Sequence, residues 1–179
     1  MRGDPFSDPQ PLIRSVYAYV AYRIGDGPDA EDVTSETFTR ALRYRDSYDP
    51  RKGPPVAWLI GIARRCLAGR ALAPKHVELD ESLEAPDPHD LAADVERRLT
   101  LRAAVATLDE TGRELIALRF GADLTARQIA EITGKSTHAV EVALGRTLER
   151  LRAALADGVD AVPTVPRPVR FSSARRYSS

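Results

Sequence analysis

Between Thr125 and Leu151 the chain reads TARQIAEITGKSTHAVEVALGRTLERL, and its punctuation leaves few folds open. Thr125 is placed to cap a short helix, and Ile129, Ala130 and Ile132 give that helix one apolar side. Gly134 can end it in a left-handed backbone conformation that only glycine adopts cheaply. Ser136 then suits the cap of a second helix, whose apolar positions Val140, Leu144, Leu148 and Leu151 recur at helical spacing. Two helices held at a sharp angle by a glycine turn make a helix-turn-helix, a shape whose second helix fits a DNA major groove.

The same periodicity organises the rest. Leu12, Ile13, Val16, Tyr17, Val20 and Ile24 predict an amphipathic helix over Gln10 to Ile24, ended by the turn Gly25-Asp26-Gly27-Pro28. A second helix is predicted from Asp29 to Tyr44. Ala30, Val33, Phe38, Ala41 and Leu42 form its apolar side, and Asp29, Asp32, Glu36, Arg40 and Arg43 its polar side. Tyr48 to Pro55 is a loop rich in helix breakers, and Pro55 suits the first turn of a third helix, where its missing N–H costs nothing. That helix, Val56 to about Leu72, is apolar on most sides and therefore expected to be buried. Trp58 is read as one of its core residues, and Cys66 as a packed thiol. Leu91, Val95 and Leu99 carry a further stripe to Leu108, after which Asp109 or Thr111 can cap a helix bearing Leu115, Ile116, Leu118 and Phe120.

These elements predict an all-α protein of two small helical domains, residues 10–73 and 91–157, joined by a flexible acidic linker at 74–90. The stretch from 158 to 179, proline-interrupted and basic, is expected to be disordered. The linker is acidic by count, with six Asp/Glu and no Lys or Arg between Val77 and Asp90, whereas the last 19 residues hold four arginines and no acid. The formal net charge of zero is thus a segregated zero, and nucleic-acid contact must come from local patches. A single cysteine excludes an internal disulfide and a cysteine-cluster zinc site. There is no apolar run of membrane-spanning length and no signal-like start, so a cytoplasmic protein without membrane insertion is expected.

Two blocks now carry a resemblance. DAEDVTSETFTRAL leading into YDPRKGPPVAWLIGIARR is similar to region 2 of bacterial sigma factors of the extracytoplasmic-function type (group IV of the sigma-70 family). LDETGRELIALRF followed by LTARQIAEITGKSTHAVEVALGRTLERLR resembles region 4. The resemblance implies a subunit that performs no covalent chemistry and needs no cofactor or metal. It implies docking of core RNA polymerase, through the clamp helices of its largest subunit, on Asp29, Asp32, Ser35, Glu36 and Arg40, with Ser35 standing where glutamine is frequent. It also implies a contact between region 4 and the flap of the second-largest subunit.

Promoter DNA is the second implied partner. Arg51, Lys52, Arg64 and Arg65 match positions that hold the melted minus-ten strand, where an unstacked base needs donors and positive charge nearby. Arg65 replaces a frequent asparagine. Ser136, Thr137, His138, Glu141 and Arg146 match the helix that reads the minus-thirty-five element. Glu141 is a departure, since it stands where a basic residue is common and a carboxylate is repelled by phosphates, although it can accept from cytosine N4. On this resemblance the linker threads toward the active-site cleft, and two readings of its acids stay open, an acidic mimic of RNA or a solvated tether; an anti-sigma protein is a common further partner.

Other classes compete for the same residues. A stand-alone helix-turn-helix transcriptional regulator would bind duplex DNA without polymerase. A metal-dependent hydrolase built on Asp29, Asp32 and Glu36 lacks a nearby histidine, and carboxylates on one exposed helix face rarely converge on one ion. A protein-interaction adaptor would leave transcription unchanged in a purified system.

Overall fold

The computed structural model describes residues 6–71 and 100–160, and every regular element among them is helical. Helix α1 is Pro9–Ile24, α2 is Pro28–Arg43, and α3 is Pro55–Ala71. Residues 100–106 form α4. Helix α5, Glu110–Ile116, runs into a single π turn at Ala117–Gly121, and α6 (Ala126–Thr133) and α7 (Thr137–Asp160) follow. The expected stripe at Leu91, Val95 and Leu99 and the acidic linker at 74–90 lie outside the described residues. So does the tail beyond Asp160, although α7 itself runs past the boundary expected at 157.

Local chemistry sets the helix ends. Asp8 caps α1 by accepting from the Gln10 N–H at 3.3 Å, with Pro9 in the first turn, and Gly25 ends it at φ 98°. Helix α2 carries Asp29 and Glu31 in its first turn and Arg40 and Arg43 in its last, the order that its macrodipole favours. Of the two caps open for α5, Asp109 is the one used: its Oδ1 accepts from Gly112 N–H at 2.6 Å. Thr125 and Gln128 form a reciprocal capping box on α6. Gly134 closes α6 at φ 70°, and Ser136 Oγ accepts from Ala139 N–H at 3.2 Å to start α7.

Helices α1, α2 and α3 pack on one another, as do α5, α6 and α7 with the π turn. These two modules do not stay apart. Helix α1 lies along the π turn and α5, and α3 touches α6. One buried cluster therefore takes Val16, Tyr19, Val20, Leu59 and Ile60 from the first module and Leu118, Leu124, Ile129 and Val140 from the second. A smaller cluster, Ala104, Val105, Leu108, Ile116 and Leu151, anchors α4 to α5 and α7.

The closest approach is at Gly121. A Cβ there would fall 2.8 Å from the backbone N and Cα of Tyr19, so the π turn and α1 meet almost backbone to backbone. Cys66 is buried, with the Thr37 hydroxyl 3.8 Å from its sulfur. Trp58 is half-buried rather than fully enclosed, and packs edge-on to Phe6 beside Tyr48.

Candidate functional site

Helix α2 buries Ala30, Val33, Thr34, Thr37 and Ala41, which turns its charged residues outward. The threonine hydroxyls donate back to Ala30 O and Val33 O, so both polar atoms are satisfied inside. Asp29, Asp32 and Ser35 are exposed, with Glu36 and Arg40 half-exposed and paired at 2.6 Å one turn apart. Arg70 on α3 reaches Asp29 Oδ1 at 2.8 Å and Asp32 at 3.8 Å. Sequence reasoning did not find Arg70, because its partner lies 41 residues away and no local pattern connects them.

The loop after α2 holds Arg51 and Lys52 on a 3₁₀ turn at Pro50–Lys52. Asp49 accepts from the Arg51 backbone N–H and from its guanidinium, each contact at 3.0 Å. The Arg51 side chain, ahead of its backbone N–H, holds the Asp49 carboxyl below its ordinary range, and the same bond raises Arg51. Tyr48 OH donates to Gly53 O at 3.0 Å and steadies the loop, and burial pushes its phenol above the usual range. An open groove of about 330 Å³ separates this loop from α6, with Arg51, Lys52, Arg127 and Gln128 among its walls.

The four basic residues expected at the minus-ten strand do not share one environment. Arg51, Lys52 and Arg65 are exposed, but Arg64 turns toward the second module. Its Nε lies 3.0 Å from Glu114 Oε1, and its Nη1 donates to Ile132 O at 3.0 Å. Glu114 also pairs with Arg23 and accepts from Tyr19 OH at 3.2 Å. Burial raises the Tyr19 phenol above its ordinary range, opposed by the charges of Arg23 and Arg64.

On α7, Val140, Leu144, Thr147 and Leu151 face inward, and Ser136, Thr137, His138, Glu141 and Arg146 are all exposed. They do not form one tight cluster. At 3.6 residues per turn, Glu141 and Arg146 lie about 140° apart around the helix axis. His138 and Val142 sit between them at the centre of the outward face, and Val142 is 38% exposed. A solvent-facing valine on a helix with a well-formed inner stripe was the available sequence signal for this centre.

Residues 10–68 match the model of Sigma-70 region 2, and residues 104–153 match Sigma-70, region 4. The ECF RNA polymerase sigma factor SigD of Mycobacterium tuberculosis is 32% identical over 152 residues, covering 76% of this chain and 70% of SigD. The chain belongs to the extracytoplasmic-function sigma factor family. BldN of Streptomyces coelicolor, another ECF RNA polymerase sigma factor, is 32% identical across 86% of this chain, which spans 59% of BldN's own length.

Solved structures agree in fold. The sigma factor RpoE of Bartonella quintana, in complex with the anti-sigma factor NepR, matches with TM-score 0.60 at 18% identity over 81% of this chain and 92% of RpoE. CnrH, in complex with the cytosolic domain of CnrY, matches with TM-score 0.52 at 26% identity over 86% and 82% of the two chains. Among the described residues of this family member, no cluster of His, Cys, Asp or Glu could hold a metal ion, and no helix is long and apolar enough to cross a membrane.

Proposed function

We propose that the chain is an exchangeable promoter-reading subunit of bacterial RNA polymerase, acting in the cytoplasm. Core polymerase docks its clamp helices on Asp29, Asp32, Ser35, Glu36 and Arg40 and its flap on the second module. Arg51, Lys52, Arg64 and Arg65 hold the opened minus-ten strand, and α7 reads the minus-thirty-five element. The acidic linker at 74–90 tethers the two modules, and polymerase makes the phosphodiester bonds. One observation supports this most: both family regions occur in one chain, in order, with the acidic face of α2 and the outer face of α7 exposed. RpoE is solved with the anti-sigma factor NepR and CnrH with the cytosolic domain of CnrY, and we include an anti-sigma protein among the proposed partners.

Run-off transcription with core polymerase tests the proposal. Adding the chain should create transcripts with a defined start, whereas a stand-alone regulator would bind duplex DNA and leave core polymerase without start-site selection. No defined transcript on any template from a genomic fragment library would reject the sigma assignment.

The outer face of α7 makes a second expectation. Val142 offers an apolar contact suited to a thymine methyl group, and Glu141 adds a negative charge beside the phosphates. Replacing Glu141 with lysine removes one repulsion and adds one attraction. Promoter affinity of the holoenzyme should rise about fivefold at low salt, and the gain should shrink as salt increases. A filter-binding titration at several salt concentrations reads this directly, and equal affinities would move Glu141 away from the DNA.

A further inference from the structure

We propose that Phe6, in the segment leading into α1, is a positioning residue for the strand-binding loop, holding Tyr48 and through it the turn that carries Arg51 and Lys52. The consequence for DNA rests on the minus-ten role given to Arg51 and Lys52 above; the hold on the loop does not.

The hold begins with three rings. Phe6 meets Tyr48 edge-on at 5.3 Å between centroids and Trp58 at 5.7 Å, and Tyr48 tilts against Trp58 at 5.7 Å. All three spacings fall in the range that aromatic quadrupoles favour, and no pair is stacked face to face. Trp58 stands in the first turn of α3, and Phe6 two residues ahead of the Asp8 cap of α1, so Tyr48 is gripped beside two helix starts. The Arg45 guanidinium lies over the Phe6 ring, 5.6 Å from its centroid. Phe6 also walls a cavity of about 120 Å³ together with Leu12, Phe38 and Leu42.

Tyr48 passes the constraint along the loop. Its hydroxyl donates to Gly53 O at 3.0 Å, so one side chain ties the two ends of the turn together. Between those ends Asp49 accepts from the Arg51 backbone and guanidinium, and Lys52 N–H donates to Asp49 O at 3.0 Å. Gly53 permits this closure with a φ of 140°, which a side chain would resist. No residue from Asp49 to Gly53 is buried, so the loop takes its shape from these ties rather than from packing of its own. A loop already held in its bound shape loses less freedom on binding, and a ring outside the charged set can therefore raise the affinity of Arg51 and Lys52 for a strand.

Two substitutions separate the ring from its bulk. Phe6→Leu keeps an apolar side chain beside Trp58 and removes the ring, whereas Phe6→Tyr keeps the ring. In the whole chain, amide exchange at Arg51 and Lys52 should quicken about fivefold in Phe6→Leu, a factor that one aromatic pair supplies, and return to the parent rate in Phe6→Tyr. Exchange at Ala63, fully buried in α3, should keep the parent rate; a ring that merely stabilised the fold would quicken both alike. Trp58 is the chain's single tryptophan, so its emission reads the cluster directly and should shift in Phe6→Leu.

In parallel, a fluorescein-labelled pool of short random single-stranded DNA should bind Phe6→Leu about fivefold more weakly than the parent, with Phe6→Tyr unchanged. In a chain that already carries Arg51→Ala and Lys52→Ala, adding Phe6→Leu should weaken binding no further. Parent exchange rates at Arg51 and Lys52 in Phe6→Leu, or no rescue by Phe6→Tyr, would overturn the hold on the loop. A loosened loop that binds the pool as tightly as the parent would overturn its consequence for DNA. Intact binding after Arg51→Ala with Lys52→Ala would instead reject the minus-ten role of those two residues, and the exchange rates, which need neither DNA nor polymerase, would still decide the hold.

Discussion

Glu36→Lys is expected to reduce run-off transcription with core polymerase at least tenfold while the chain keeps its helix content and denaturation midpoint. Glu36 lies on the outer side of α2, half-exposed, and bonds Arg40 one turn away. Such an exposed pair contributes only a few tenths of a kcal/mol to folding, and a lysine beside Arg40 reverses that by a similar amount. The buried side of α2 is untouched, so the module stays folded. A docking surface responds differently. Reversing a charge inside an electrostatically matched interface places like charges together, and that costs about several kcal/mol. The assay compares parent and variant at equal, sub-saturating concentration, with circular dichroism as the control. Full activity from a folded variant would remove α2 from the polymerase contact.

The second large effect concerns stability. Leu118→Ala should lower the free energy of unfolding by about 3 kcal/mol, within the range found when a buried leucine is truncated and its site cannot collapse. Leu118 sits in the π turn with no exposure, in the cluster that joins both modules. A domain-sized chain loses about 1–3 kcal/mol per molar urea, so the midpoint should fall by roughly 1–3 M. Leu42→Ala is the matched control: Leu42 is 72% exposed, and its loss should change stability by no more than about 0.5 kcal/mol. A drop below about 1 kcal/mol for Leu118→Ala would mean that this part of the core is not packed as described.

The helices and their ends were legible because the forces that set them act within a few residues. Thr125 and Gln128 cap each other, Gly134 takes the left-handed conformation, and Pro55 opens α3, all inside one turn of chain. The choice between Asp109 and Thr111 as the cap of α5 was not legible. Either side chain could accept from an orphan N–H, and only the backbone path selected Asp109. The candidate surfaces divided in the same way. The outward faces of α2 and α7 followed from helical periodicity, and their exposure agrees with it. Arg64 looked like its neighbour Arg65 in the sequence, yet one side chain is held by Glu114 and the other is exposed.

Apolar spacing, caps and breakers in the amino-acid order alone determined an all-α fold class and the sites of the turns among the described residues. How those modules meet was settled in three dimensions. Arg23 and Glu114 are 91 residues apart, and Gly121 gives no local sign that it must pass within van der Waals reach of Tyr19. Pairings at such separation depend on which surfaces fit once every helix has formed, and no pattern within one helix encodes that fit.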